Sequence, residues 1–392
     1  MKLKTITVFL ISLFLYLLVA GLFFVAGEMA LKTIIVSIIG TFIIGGVVSS
    51  GLFILQQFKK KDVANHLFMA FMTMGFIFLL LLVSGEYLFR FMYKDVTTTV
   101  DNFSYFSNKW QKDLQNNCYG FRERDYSLEK PENTYRVAVV GDSLTYGQGI
   151  VADDRYSNLL ENRLNVNKPN LRYEFINFGK AGAEMVDYIS ILKLFVLPAN
   201  PDFILLQWYI NDVNDPNFYT INNPAVISKK VQAKKGIISI PPILRKNSAL
   251  FYLLHRTIEQ FRSGSQNSYD DMMLERFGDP DSESTKEAMS NIKTFYQISK
   301  SHNIPMGMIL FSDSYFRLSS KMDFLLNHVC SVCKAEGIEF VDMRKPFEPF
   351  KGDTRLWASR LDPHPSAYAN KIVADQLYSA FSPTWLDEHN QK

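Results

Sequence analysis

Two hydrophobic patterns divide the chain. Residues 5–24, 34–55 and 67–83 are apolar runs without a charged side chain, each close to the roughly 20 residues that cross a hydrocarbon core. They predict three transmembrane helices, because buried helices of a soluble domain seldom follow one another with so few polar positions. The first run passes Val19, Ala20 and Gly21 and continues to Phe24, which favours an anchor over a cleaved leader. Beyond residue 95 the pattern changes. A polar, aromatic-dotted arm over 96–134 leads into short apolar runs that alternate with helical periodicity. The runs predict strands at 136–140, 173–178, 203–208, 306–311 and 339–342, with helices around 156–164, 185–197, 286–300, 321–336 and 365–380. Such alternation predicts an α/β domain over 135–385, its parallel sheet covered on both faces.

An insertion over 215–281 interrupts the alternation. It is rich in Asn, Pro, Lys and Ser, and carries an apolar centre (IISIPPIL) and a helix-like piece (SALFYLLHRTIEQF). It is expected to cover the strand ends as a lid, as an interfacial element on the membrane, or as a plain packing excursion.

Charge orients the first 95 residues, read as a membrane domain. Lys2 and Lys4 precede the first run and Lys59, Lys60 and Lys61 follow the second, whereas the first loop sets Glu28 against Lys32. The amino terminus is therefore expected in the cytoplasm and the α/β domain outside it, although Arg90 and Lys94 oppose this orientation. Glu86 and Arg90, four apart, can pair as the third run ends. A net charge of +3 with scattered lysines implies no nucleic-acid partner. Cys330 and Cys333 fall on one face of an amphipathic stretch and read as a buried pair, with Cys118 left over. No residues have metal-ligand spacing and no glycine-rich phosphate loop is present, so neither metal nor cofactor is expected. The mix at 121–126 (FRERDY) reads as a packed surface segment.

The chemistry gathers around 137–149, VAVVGDSLTYGQG. A β-branched run that breaks at Gly141 delivers Ser143 to the carboxyl end of a buried strand, where open α/β sheets bind ligands. A serine hydroxyl needs a base to take its proton and donors to receive the charge that its attack creates. Three later strand ends offer them: Asn177 to Gly182 (NFGKAG), Ile210-Asn211-Asp212, and Asp362-Pro363-His364-Pro365.

With Gly141-Asp142-Ser143-Leu144, these blocks resemble the SGNH (GDSL-type) family of esterases, lipases and acyl-transferring enzymes, in the family's order. The resemblance implies a three-layer α/β/α, flavodoxin-like sheet. It makes Ser143 the nucleophile, with its own N–H, the Gly182 N–H and the Asn211 amide as oxyanion donors. It makes His364 the base and Asp362 the group that orients it. The family usually places its acid three residues before the histidine, a position occupied here by Leu361, and a backbone carbonyl is the alternative orienter. Asp142 reads as a loop-stabilising carboxylate and Asp212 as a turn cap.

The activity implied is a membrane-anchored serine esterase working through an acyl-serine, on O-acyl (acetyl) groups of extracytoplasmic glycans or lipids. Its partners would be the bilayer and the acyl-ester substrate. The alternatives are an O-acetyltransferase that modifies a cell-surface polysaccharide with a membrane acyl-donor partner, and a non-catalytic scaffold or glycan-binding subunit.

Overall fold

A computed structural model of the chain describes residues 81–94, 105–107, 114–166, 171–212, 240–263, 281–312 and 320–387, with Gly75, Phe78, Leu79, Leu274, Gly278 and Asp279 besides. The chain divides into two compact units. The first comprises Met1–Asp95, Phe103–Asn108 and Ile238–Phe261; the second comprises Val96–Asn102, Lys109–Ile237 and Arg262–Lys392.

In the second unit, apolar runs become the strands β1 (Thr134–Gly141), β2 (Arg172–Gly179), β3 (Phe203–Trp208), β4 (Met306–Leu310) and β5 (Glu339–Asp342). All pair in parallel, in the order β2-β1-β3-β4-β5. Every residue of β1 and β3 is buried, which is why these strands read as continuous apolar runs rather than alternating ones. The connections out of β1 and β2 run in opposite directions along the sheet. Right-handed crossovers therefore place Tyr156–Asn165 on one face, and Met185–Ile191, Glu283–Ser301 and Asp323–Glu336 on the other. The last helix, Ala367–Asp387, packs on Tyr156–Asn165 and closes the first face. Its Trp385 ring meets Phe175 of β2 edge-on at 5.4 Å and Phe203 of β3 at 5.8 Å. The order reverses at β1, so the carboxyl ends of β1 and β3 flank the crevice in which such sheets bind ligands.

Three local features depart from the sequence expectation. The helix expected over 185–197 is regular only over Met185–Ile191, then widens into a π turn (Leu192–Val196) and tightens over Leu197–Ala199. The helix expected from residue 365 begins at Ala367, because the preceding residues form a strand. That strand, β7 (Asp362–Pro365), pairs antiparallel with β6 (Trp357–Ser359). Finally, the arm expected over 96–134 is split: residues 103–108 belong to the first unit, and residues 96–102 and 109–134 to the second.

The first unit takes the helical part of the insertion. The Glu86 carboxylate, on a helix over 81–92, is 5% exposed and accepts hydrogen bonds from Ser248 Oγ (2.6 Å), the Ala249 N–H (3.1 Å) and the Leu250 N–H (2.9 Å). These donors lie at the amino end of Ala249–Ser263, where free N–H groups and the helix dipole favour an anion. Arg90 Nε donates to the same carboxylate at 2.6 Å, the pair expected from their spacing. Phe106, fully buried, packs edge-on against Tyr252 at 5.5 Å. Residues 5–24 and 34–55 lie outside the described residues, as does most of 67–83. Among the described residues no helix is long and apolar enough to cross a membrane.

Removing the Glu86 carboxylate orphans buried donors, a loss of about 1–3 kcal/mol. Glu86→Ala is expected to speed hydrogen exchange at the Ala249 and Leu250 amides while those of β1 keep their protection.

Candidate active site

The site begins where β1 stops. Asp142 caps the short helical turn Ser143–Tyr146, its Oδ1 accepting the Leu144 N–H at 2.8 Å, and Gly147 ends the turn in the left-handed region (φ 74°). The Asp142 N–H donates to Gln207 Oε1 at 2.9 Å, and Thr145 Oγ1 donates to the same oxygen at 3.0 Å. Asn177 Nδ2 donates to the Thr145 carbonyl at 2.7 Å, while its Oδ1 accepts the Gly179 N–H at 2.9 Å. The turn that carries Ser143 is thus held from both neighbouring strands. Neither Asn177 nor Gln207 was read as a site residue. Their signal is a lone amide inside an otherwise apolar, buried strand, FINFG and FILLQW.

Ser143, 7% exposed, lies with Oγ 3.0 Å from His364 Nε2. His364 Nδ1 is 2.5 Å from Asp362 Oδ1, and the same oxygen accepts the His364 backbone N–H at 3.1 Å. Because a carboxylate can only accept, Nδ1 carries the proton and Nε2 is left to accept from the serine hydroxyl. Asp362 is fully buried. The spacing of two is explained by β7: alternate residues of a strand point the same way, so Asp362 and His364 share a face.

The other expected residues sit on adjacent loops. Asn211 lies in the turn Ile210–Asp212 after β3, half-buried, and its side chain hydrogen-bonds Asp142. An amide nitrogen carries two hydrogens, so one remains for a further acceptor. Gly182 occupies an exposed turn after β2 with φ 74°, and a side chain there would meet no atom within 4 Å. Asp212, fully buried, accepts the Tyr188 hydroxyl at 2.6 Å and the Tyr209 N–H at 2.7 Å, and so caps its turn.

Burial raises both inner carboxylates. Asp142 is pushed up by desolvation, opposed first by the Leu144 N–H and also by the bond from Asn211. Asp212 is pushed well above its usual range by desolvation and then by the Asp142 charge. Burial also pushes the Cys330 thiol up to about 11 and the Cys333 thiol up to about 12, so both stay protonated and inert near neutrality.

A nucleophile, a base and an orienting carboxylate in one hydrogen-bonded line, at a sheet's topological switch point, can carry out acyl transfer. Residues 137–377 match the family model of GDSL-like lipases and acylhydrolases. The chain belongs to that family. The domain is accordingly that of an ester-cleaving serine hydrolase. Among solved structures, the acetyl xylan esterase AlAXEase is similar at 17% identity over 62% of this chain and 98% of its own, with a TM-score of 0.38. A member of the lipolytic G-D-S-L family from Veillonella parvula is similar at 12% identity over 63% and 98% of the two chains, with a TM-score of 0.38. A catalytic mutant of Axe2, an acetylxylan esterase from Geobacillus stearothermophilus, is similar at 16% identity over 63% and 93%, again with a TM-score of 0.38. None of the curated proteins matches the chain.

The raised carboxylates make a measurable difference to stability. Asp212 binds a proton more tightly folded than unfolded, so stability falls as pH rises from its usual 3.8 toward the raised value, and the loss persists above it. Asp212→Asn is expected to lose less stability than the parent as pH rises above 3.8, as read by urea unfolding at each pH.

Proposed function

We propose that the chain is a membrane-anchored serine esterase whose Ser143, His364 and Asp362 cleave acyl esters, acetyl groups above all, on glycans or lipids outside the cytoplasm. The observation that carries the reading is the continuous line Ser143 Oγ, His364 Nε2, His364 Nδ1, Asp362 Oδ1 at 3.0 and 2.5 Å. In this reading Ser143 Oγ attacks the ester carbonyl as its proton passes to His364 Nε2. The carbonyl π electrons move onto oxygen, where the Ser143 N–H, the Gly182 N–H and the second hydrogen of Asn211 Nδ2 receive the charge. The oxyanion collapses, the C–O bond to the alcohol breaks, and the imidazolium returns its proton to the leaving oxygen. Water, activated by the same histidine, then releases the acid from Ser143. A sugar hydroxyl in place of water would make the enzyme an O-acetyltransferase fed by a membrane acyl-donor partner.

The membrane reading is supported by the three uncharged runs at 5–24, 34–55 and 67–83 and by the lysines that flank the first two. Protease protection of residues 1–4 in sealed, right-side-out vesicles, together with digestion of the catalytic domain, is the expected outcome. Digestion of the amino terminus with protection of the domain reverses the topology.

Intact-mass measurement of the detergent-solubilised protein after a fluorophosphonate is expected to show one adduct per chain, absent in Ser143→Ala. An unlabelled parent or a labelled Ser143→Ala would overturn the assignment. Asn211→Ala is expected to lower kcat for an aryl acetate by a factor of about 100 to 1000, the usual cost of one oxyanion donor. An unchanged kcat would remove Asn211 from the oxyanion site.

A further inference from the structure

The geometry points to Arg122 as a positioning residue for the active site: it braces the loop over 147–150, and Gly149 of that loop forms the floor under the Asp362 carboxylate. The inference rests on the assignment of Ser143, His364 and Asp362 given above.

The N–H groups of the loop that follows the serine turn are partly met by backbone, those of Gly147 and Gln148 donating to the Ser143 carbonyl at 3.1 Å. Gly147 and Gly149 both take left-handed backbone angles (φ 74° and 84°), so no regular ladder pairs their neighbours. The loop's carbonyls are nonetheless buried and need donors. Arg122 supplies them, its Nη1 donating to the carbonyls of Tyr146 (3.2 Å) and Gly147 (2.7 Å) and its Nη2 to that of Ile150 (2.7 Å). A guanidinium is suited to this task because its donors sit in one rigid plane. The side chain is 7% exposed, and its guanidinium lies 5.6 Å from the centre of the Tyr146 ring.

Arg122 is itself fixed. Its carbonyl accepts from Arg155 Nη1, and Arg155 Nη2 lies 3.2 Å from Glu123 Oε2, which also accepts the Asn177 N–H of β2 at 3.2 Å. A segment that reads as surface is therefore tied to the sheet on one side and to the serine loop on the other. Desolvation and the nearby Arg155 charge lower Arg122 to about 10, which leaves it cationic at neutral pH.

At its far end the loop meets the orienting acid. A β-carbon built on Gly149 would lie 2.6 Å from Ala358 Cβ and 3.6 Å from Asp362 Oδ2. The bare backbone of Gly149 is thus packed against the β6–β7 hairpin, beside the carboxylate that holds His364. Loop movement would shift Asp362, and through it His364 Nε2, relative to Ser143 Oγ. A misplacement of about 1 Å can cost a factor of 100 in rate.

The test separates rate per site from number of sites, because a purely structural role changes only the latter. Fluorophosphonate labelling of the full chain in detergent is followed over time by intact mass for the parent, Arg122→Lys, Gly149→Ala and Ser143→Ala. Arg163→Ala, which removes an exposed pair with Asp375 and a stacking contact with Tyr378 on helices outside the serine loop, serves as control. Arg122→Lys and Gly149→Ala are expected to reach the same stoichiometry as the parent with rate constants lowered by about ten- to a hundredfold, and to lower kcat for p-nitrophenyl acetate with KM unchanged. Arg163→Ala is expected to label at the parent's rate. Unchanged rate constants in both variants, or a reduced labelled fraction that reacts at the parent's rate, would overturn the inference. Should Arg122→Lys fail to fold, Gly149→Ala decides by the same criteria, since it leaves the guanidinium in place. Labelling of Ser143→Ala would instead overturn the assignment of the nucleophile, independently of the brace.

Discussion

A methyl group has no room at Gly141 or at Gly179. At Gly141 it would collide with Thr145 Oγ1 and Gln207, and at Gly179 with the backbone of Thr145 and Tyr146. The serine turn therefore rests directly on two strand ends that are paired residue for residue, Gly141 against Gly179. The rest of the site depends on this close approach. It puts the amides of Asn177 and Gln207 within reach of the turn, and it leaves Ser143 facing the crevice between β1 and β3, where Asn211 arrives. The active site is a property of strand register as much as of side chains.

Much of this was legible in the sequence, for physical reasons that differ from element to element. The central strands were readable because a parallel sheet buried on both faces imposes continuous apolar runs, and 203–208 matches to the residue; the edge strand 339–342 also matches, although its residues are exposed or half-buried. Ser143, His364 and Asp362 were readable because their motifs are local, and the structure brings them into one hydrogen-bonded line. The β6–β7 hairpin was not, since strands of three and four residues containing two prolines carry no alternation to detect. Yet that hairpin is what turns a spacing of two into a workable geometry. Nor was the role of Arg122, because a guanidinium that satisfies three carbonyls 24 to 28 residues away leaves no local pattern.

Polar groups in this core serve position at a cost in desolvation. Asp142 and Asp212 are both fully buried, and Asp212 bears part of the penalty of the Asp142 charge. At the carboxyl ends of the strands Leu144, Tyr188 and Tyr209 donate to the two acids, and two further buried charges are paired, Arg136 with Glu174 and Arg155 with Glu123. Another part of the interior is apolar and aromatic, the cluster of Phe175, Phe203, Phe381 and Trp385.

The capture of Ala249–Ser263 by Glu86 has a topological meaning. The chain passes between the two units five times, and its longest excursion leaves the catalytic unit after β3 and returns before Glu283–Ser301. The units are interleaved along the sequence, not strung in series. No single cut yields either one whole: a chain begun at residue 96 keeps the excursion but loses its acceptor, leaving a helix with its amino-terminal donors unpaired. The two halves are therefore tied into one folding problem, in which the helix over 81–92 must be present before Ala249–Ser263 has an acceptor for its amino-terminal donors.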